Sequence, residues 1–172
     1  MDDSVTLGVA RQWLRDRFKE KIVACPCCKQ SVKLYKRNIT SAMAVGLIRI
    51  YREDQVTKDW IHHPTLLKTS ALCGDFAKLA YWGLIVHKPG VRDDGSVRTG
   101  WHRITPDGRL FVERKLRVRK YKYIYNSQCV SVDGADMTDC DIVDALGDNF
   151  NYLELMTATP DGSDPPQSCF TH

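Results

Sequence analysis

The residues most able to do chemistry are three crowded cysteines near the start of the chain. Cys25 and Cys28 stand at C-x2-C spacing with Cys27 between them, and strand-forming residues on both sides predict a hairpin. The turn of such a hairpin directs two thiolates to one side, where they can hold one edge of a tetrahedral zinc ion. The spacing therefore predicts zinc at Cys25 and Cys28, with a metal-free knuckle that packs as small apolar side chains as the alternative.

A closed zinc site needs two further ligands, and the sequence contains no second C-x2-C pair. The remaining candidates lie far along the chain: Cys73, His62, His63, His87 and His102. An odd total of 7 cysteines does not favour a disulfide framework. A redox role is less favoured than zinc, because no thioredoxin-like βαβ pattern surrounds the pair.

Charge is distributed unevenly along the chain. All 25 lysines and arginines lie at or before Lys122, together with 12 acidic residues, whereas residues 123–172 contain 9 acidic residues and no lysine or arginine. A basic body of this kind suits a polyanion such as DNA or RNA. Two alternatives remain, namely that the basic surface binds an acidic protein, or that the acidic segment folds back onto the basic one.

Short helices and strands position these residues. A first helix is predicted over residues 6–22 from its apolar face. Gly83 ends a later helix, and Thr105 with Pro106 caps another. The order from residue 41 is helix, short strand, helix, helix, strand, polar loop, strand and helix, over residues 41–52, 60–62, 64–70, 75–82, 84–86, 89–100, 101–104 and from 106.

This order resembles the winged helix-turn-helix superfamily over residues 40–115, and the string W-H-R-I-T-P-D-G-R-L-F-V is similar to the ending of MarR-like regulators. Longer strings, including C-P-C-C, G-D-F-A-K-L-A-Y-W-G-L-I and A-L-G-D-N-F-N-Y-L-E-L-M, resemble proteins of bacteriophages and prophages that have no established activity. Two residues depart from those relatives: Lys29 stands where glycine is usual, and Arg119 where proline is usual. The resemblance implies origin and fold and leaves mechanism open.

We therefore predict an α+β fold with a winged helix-turn-helix core. An N-terminal helix and a zinc-ribbon-like hairpin precede this core, and a β-hairpin with acidic helices follows it. The predicted divisions are 1–38 for the N-terminal part, 39–116 for the core, 117–156 for the C-terminal hairpin and helices, and 157–172 for a flexible tail.

The winged-helix resemblance implies duplex DNA binding, as a transcriptional regulator or accessory factor. The third helix would enter the major groove, and the wing would reach phosphates. The expected contacts are Lys78, Tyr81, Arg92, Arg98, Arg103, Arg109, Arg114, Lys115 and Arg117. Phosphate contacts dominate this expectation, because only Lys78 and Tyr81 of the third helix are clear outward polar groups besides Asp75. The alternative is a module that binds and modulates a host or phage protein.

Other patterns point away from chemistry. Tyr121, Tyr123 and Tyr125 alternate with basic residues, which favours the packed face of a hairpin over base stacking. The 5 histidines are scattered, and acids such as Asp139 and Asp141 suit a helix start. No apolar run approaches the ~20 residues of a membrane span. We expect a non-enzymatic protein in the cytoplasm of a bacterial host, with a homodimer among the options.

Overall fold

The computed structural model describes residues 5–17, 20, 22–68, 72, 74–91, 95, 99–132 and 134–158. The predicted α+β class is confirmed, since short helices alternate with four small antiparallel sheets among these residues. The chain forms two compact units. The small unit is Met1–Asn38 with Tyr121–Met137, and the large unit is Ile39–Lys120 with Thr138–His172. No helix in the described part of the chain has the length and apolar character needed to cross a membrane.

The helices and strands are short. The α-helices are α1 Leu7–Asp16, α2 Ser41–Thr57, α3 His63–Leu67, α4 Pro106–Val112, α5 Ile142–Leu146 and α6 Tyr152–Thr157, with 3-10 helices at Phe76–Trp82 and Gly147–Asn149. The strands are β1 Val23–Ala24, β2 Ser31–Val32, β3 Tyr35–Asn38, β4 Ile61–His62, β5 Ile85–His87, β6 Trp101–Ile104, β7 Val118–Arg119, β8 Tyr121–Tyr125, β9 Gln128–Cys129 and β10 Asp139–Cys140.

The small unit combines α1 with a two-stranded and a three-stranded sheet. Thr6 caps α1, because its Oγ1 accepts the backbone N–H of Val9 at 3.5 Å. Strands β1 and β2 form the hairpin that the cysteine spacing predicts. Strand β8 lies between β3 and β9, so the C-terminal hairpin completes a sheet that the N-terminal segment begins.

The large unit is built around α2. Thr40 caps this helix by accepting the backbone N–H of Met43 at 3.3 Å. Its buried side chains, among them Leu47 and Ile48, pack in a core with Phe76 from the 3-10 helix and Phe111 from α4. The same helix contacts α3, α4, α5 and α6. Because α2 contacts nearly every other element of the unit, it holds the remaining short elements in place.

A three-stranded antiparallel sheet lies beside this helical layer, with β6 between β4 and β5. Thr105 joins the sheet to α4: its hydroxyl donates to the Gly83 carbonyl at 2.6 Å and accepts the backbone N–H of Gly108 at 2.9 Å. Gly108 lies so close to β5 that a Cβ there would be 2.1 Å from the Leu84 carbonyl oxygen. The end of the sheet and the start of α4 are therefore packed backbone against backbone.

Several predicted helices differ in the structure, and the one predicted over residues 41–52 extends to Thr57. The first helix ends at Asp16 and does not extend to residue 22, since Ile22 is not helical. The third predicted helix, 75–82, is a 3-10 helix. A 3-10 helix has three residues per turn and aligns side chains at i, i+3 and i+6. Phe76, Leu79 and Trp82 have this spacing, and all three are buried. The 3-10 helix therefore aligns on one buried face three side chains that an α-helix would distribute over a wider arc.

Strand pairing changes at Lys120. Strand β7 pairs with β10 in the large unit, whereas β8 pairs with β3 in the small unit. Of the two acids that suit a helix start, Asp139 lies in β10 with Cys140, and the helix begins at Ile142 after Asp141. Asp141 then caps α5 by accepting the backbone N–H groups of Val143 and Asp144, both at 2.9 Å.

Candidate functional site

The solvent side of the sheet β4–β6–β5 collects aromatic and basic side chains. Strand pairing places His62 opposite Trp101 and Val86 opposite Arg103. The backbone N–H of Lys88 donates to the Trp101 carbonyl at 2.9 Å, which continues the pairing beyond β5. We call this surface the outer sheet face and define it by Trp60, His62, Val86, Lys88, Trp101 and Arg103.

Cation–aromatic contacts order this face. The Lys88 ammonium lies 5.3 Å from the centre of the Trp101 ring, and the Arg103 guanidinium lies 5.5 Å from the Trp60 ring. Arg103 also donates to the Lys58 carbonyl at 2.8 Å. Trp101 remains 39% exposed and packs against the His62 ring, whose centre is 5.0 Å away. The arrangement offers two positioned cations, each beside a tryptophan ring, which suits phosphate contact and stacking.

Three histidines, which look scattered in the sequence, meet at this sheet. The pairing of β4 and β5 with β6 brings His63 and His87 to His102, whereas His62 lies on the opposite face beside Trp101. His102 Nδ1 is 3.0 Å from His63 Nδ1, and its Nε2 is 3.0 Å from His87 Nδ1. The sequence places these histidines in three separate elements, and only the strand register identifies the contacts.

Burial controls the protonation of this cluster. Loss of solvent, with smaller contributions from the neighbouring His63 and His87, lowers the pKa of His102 to about 4. The pKa of His63 is also lowered, mainly by burial, although its bond to the Gly100 carbonyl, 2.9 Å long, opposes that change. His102 is therefore neutral at physiological pH and adds no charge beneath the outer sheet face.

Several residues predicted to contact DNA are engaged within the large unit. Lys78 forms an ion pair with Asp75 three residues earlier. Arg109 of α4 pairs with Asp54 of α2, whose side chain is fully buried. Lys115 pairs with Glu113 at 2.7 Å. In each pair a carboxylate already offsets the positive charge, so a phosphate would have to compete with that carboxylate.

The other predicted contacts are distributed differently. Arg117 binds the carboxylates of Asp141 and Asp144 at 3.1 and 2.8 Å. The guanidinium of Arg114 lies 5.8 Å from the centre of the Tyr152 ring. Arg103 is on the outer sheet face. Tyr81 is half-buried against the core, and Arg92 and Arg98 lie outside the described residues.

The two units differ in charge. The sequence segments of the large unit contain 15 basic and 15 acidic residues, whereas those of the small unit contain 10 basic and 6 acidic residues. On the small unit, Tyr35 is 46% exposed and lies between Lys33 and Arg37, whose charged groups are 5.4 and 5.1 Å from the ring centre. The excess positive charge of the chain therefore belongs to the small unit, although all of the predicted DNA contacts belong to the large one.

The tyrosine face of β8 is partly covered. Tyr121, Tyr123 and Tyr125 are half-buried, and the Tyr123 hydroxyl accepts the backbone N–H of Asp136 at 3.1 Å. Lys36 bonds Asp136 at 3.1 Å and lies 3.8 Å from the centre of the Tyr121 ring. Packing within the hairpin, which the sequence favours, accounts for these contacts.

The cysteine knuckle occupies the turn between β1 and β2. The backbone N–H of Cys25 donates to the Gln30 carbonyl at 2.8 Å, and that of Lys29 donates to the Cys25 carbonyl at 2.9 Å. Cys25, Cys27 and Cys28 are free thiols. Among the described residues, no group of three or more histidine, cysteine, aspartate or glutamate side chains is arranged to hold a metal ion. The knuckle thus carries two cysteines at the C-x2-C spacing of one edge of a zinc site.

Comparison of the chain with protein-family models, with curated proteins and with solved structures found no match.

Proposed function

We propose that this chain is a winged-helix DNA-binding protein that contacts duplex DNA mainly through phosphates, as a transcriptional regulator or accessory factor. The order of elements in the large unit and the central position of β6 support a winged-helix arrangement, with the loop between β5 and β6 as the wing. The observation that carries the proposal is the outer sheet face, where Lys88 lies beside exposed Trp101 and Arg103 lies beside Trp60.

The third helix contributes less than the resemblance implies. The 3-10 helix Phe76–Trp82 turns its regular face into the core, and its lysine, Lys78, is paired with Asp75. Base readout in the major groove requires side chains such as Arg, Asn or Gln projecting from an exposed helix. Recognition through DNA shape and phosphates therefore agrees better with this surface than recognition of base edges.

Binding and its salt dependence test the proposal. Fluorescence anisotropy with a labelled duplex at about 50 mM salt should show binding that weakens steeply as salt is added. Each phosphate contact contributes about 0.9 to the slope of log affinity against log salt, so the double variant K88A/R103A should lower that slope by about 1.8. Lys115→Ala is the matched control. Because Lys115 is already paired with Glu113, this substitution should leave the slope unchanged.

Two results would reject the proposal: absence of duplex binding at about 50 mM salt, or binding whose salt dependence is the same in K88A/R103A and in the unmodified protein. A salt slope that falls in Lys115→Ala and not in K88A/R103A would indicate that the basic residues near Arg117 contact the phosphates. That result would contradict the assignment to the outer sheet face.

A protein-interaction module is the second candidate. It is favoured by the apolar exposure of the wing region, where Val86 is 44%, Val91 67% and Trp101 39% exposed, and by the equal numbers of acidic and basic residues in the large unit. Binding of a host or phage protein to this surface would be lost in Trp101→Ala and would depend little on salt concentration. The salt titration therefore separates the two candidates.

A further inference from the structure

The two faces of the sheet β3–β8–β9 in the small unit differ in how their cations are paired. The pairing of β3 with β8 places Lys36 opposite Tyr123 and Arg37 opposite Lys122. Because side chains alternate along a strand, Lys36 lies on one face, whereas Arg37 and Lys122 share the other. On the first face, Asp136 binds the Lys36 ammonium at 3.1 Å. A carboxylate therefore already offsets the positive charge of Lys36.

The second face carries an exposed tyrosine between cations. Tyr35 lies on β3, which is an edge strand of the sheet, and it is 46% exposed. The Lys33 ammonium and the Arg37 guanidinium lie 5.4 and 5.1 Å from the centre of its ring. In contrast with Lys36, the residues Lys33, Arg37 and Lys122 form no ion pair with a carboxylate that the structure describes. We call Lys33, Tyr35, Arg37 and Lys122 the Tyr35 surface.

An exposed ring between cations suits an unpaired nucleotide. A base can stack on the ring while the adjoining phosphates contact the cations. An exposed cation–aromatic contact changes an equilibrium by a factor of about 2–5, whereas stacking of a base on an aromatic ring contributes a factor of about 5–150. A base can therefore displace a cation from the Tyr35 ring, and the displaced cation becomes available to a phosphate. Bases within a duplex are already stacked on each other, so unpaired bases are the better match.

We infer that the Tyr35 surface binds single-stranded nucleic acid, with a base stacked on Tyr35 and phosphates on the three cations around it. The charge of the small unit is complementary to such a strand, because its sequence segments contain 10 basic and 6 acidic residues. An acidic peptide would use the cations but would leave the ring without a stacking partner. The inference does not depend on duplex binding by the outer sheet face, which belongs to the large unit.

Binding of labelled oligonucleotides to the full-length protein tests the inference. Fluorescence anisotropy with oligo(dT) of about 12 nucleotides, at about 50 mM salt, should show binding that weakens as salt is added. An abasic oligonucleotide of the same length has the same phosphates but no bases, and it should bind at least about 5-fold more weakly. Oligo(U) should bind as oligo(dT) does, to within about threefold, because stacking and phosphate contacts do not read the sugar.

Variants locate the contacts. Tyr35→Ala should weaken oligo(dT) binding about 5- to 150-fold, whereas Tyr35→Phe keeps the ring and should retain the affinity. Each phosphate contact with a single strand contributes about 0.7 to the slope of log affinity against log salt, so K33Q/R37Q should lower that slope by about 1.4. Lys36→Gln is the matched control, because Lys36 lies on the same strand but is paired with Asp136, and it should leave the slope unchanged. Circular dichroism of each variant verifies that the protein is folded.

The two nucleic-acid surfaces can fail separately. K88A/R103A should leave oligo(dT) binding unchanged, and Tyr35→Ala should leave duplex binding unchanged. Loss of oligo(dT) binding in K88A/R103A would assign the single strand to the outer sheet face and overturn the inference.

Three further results would overturn it. Equal affinity of Tyr35→Ala and the unmodified protein for oligo(dT) would exclude stacking on this ring. Equal affinity of the unmodified protein for the abasic oligonucleotide and for oligo(dT) would leave charge alone as the cause of binding. A salt slope that falls as much in Lys36→Gln as in K33Q/R37Q would show that the phosphates are not held at the Tyr35 surface.

Discussion

His102 should make the stability of the large unit depend on pH, and His102→Gln should reduce that dependence. Its side chain is 2% exposed and lies between His63 and His87, with Phe76 against its ring. Protonation in the folded state would bury a charge beside two other imidazoles. The pKa of His102 is therefore lowered from 6.5 to about 4.

The sign follows from proton binding. Between these two pKa values the unfolded chain holds a proton on His102 that the folded chain does not, so stability falls as pH falls. The contribution is complete above the unfolded value and is lost progressively as pH approaches 4. From about pH 7.5 to about pH 5.5, the free energy of unfolding should fall by about 1.3 kcal/mol through His102 alone. The similarly lowered pKa of His63 acts in the same direction.

Urea denaturation at these two pH values, followed by tryptophan fluorescence, measures the effect. The unmodified protein should lose about 1.3 kcal/mol more than His102→Gln on acidification, whatever the variant costs at neutral pH. His62→Gln is the matched control, because His62 lies half-exposed on the outer sheet face and is the last of the causes that lower the pKa of His102, so its removal should leave most of the pH dependence intact. If His102→Gln and the unmodified protein lose the same stability between these pH values, the burial argument is refuted.

Two further substitutions test the packing of the large unit. Gly108→Ala should destabilise it by at least about 1–3 kcal/mol, because the added Cβ would overlap the Leu84 carbonyl. Gly83→Ala is the control, since nothing lies within 4 Å of the added Cβ and only the φ of 72° is unfavourable. It should cost about 1 kcal/mol in the same denaturation assay. Arg109→Met should cost about 3–5 kcal/mol by leaving the buried Asp54 carboxylate without its partner. Adding Asp54→Asn should restore part of that loss, and a double variant no more stable than Arg109→Met would contradict it.

Local signals in the sequence predicted some of the element ends. Thr105 caps α4 as its type indicates, and Gly83 ends the helix before β5. The hairpin at Cys25 and Cys28 was also accessible, because turn chemistry and strand-forming residues lie within ten residues of each other. Such features depend on neighbours in the chain, so a single sequence contains the information that determines them.

Features set by long-range contacts were not accessible. The 3-10 helix depends on a core that receives Phe76, Leu79 and Trp82 in line, and residue spacing alone does not separate it from an α-helix. The histidine cluster depends on the registers of β4 and β5 against β6. The change of partner at Lys120 depends on two strands, β3 and β10, that are about a hundred residues apart in sequence. Each requires a pairing between segments that sequence periodicity does not specify.

The ion pairs formed by the acidic residues after Lys122 show why the distribution of charge along the sequence did not locate the candidate interface. Asp141 and Asp144 bind Arg117, and Asp139 binds Arg119 at 2.8 Å. Exposed ion pairs are worth only about 0–1 kcal/mol, so attraction alone would not keep phosphate away. Asp141 and Asp144 are also fixed by the reciprocal cap of α5, which keeps both carboxylates beside Arg117. A phosphate approaching Arg117 would meet those carboxylates, whereas the nearest charged partner of Arg103 is Asp59 at 3.8 Å. The outer sheet face is therefore the better location for a polyanion, although residues 109–122 contain more positively charged side chains.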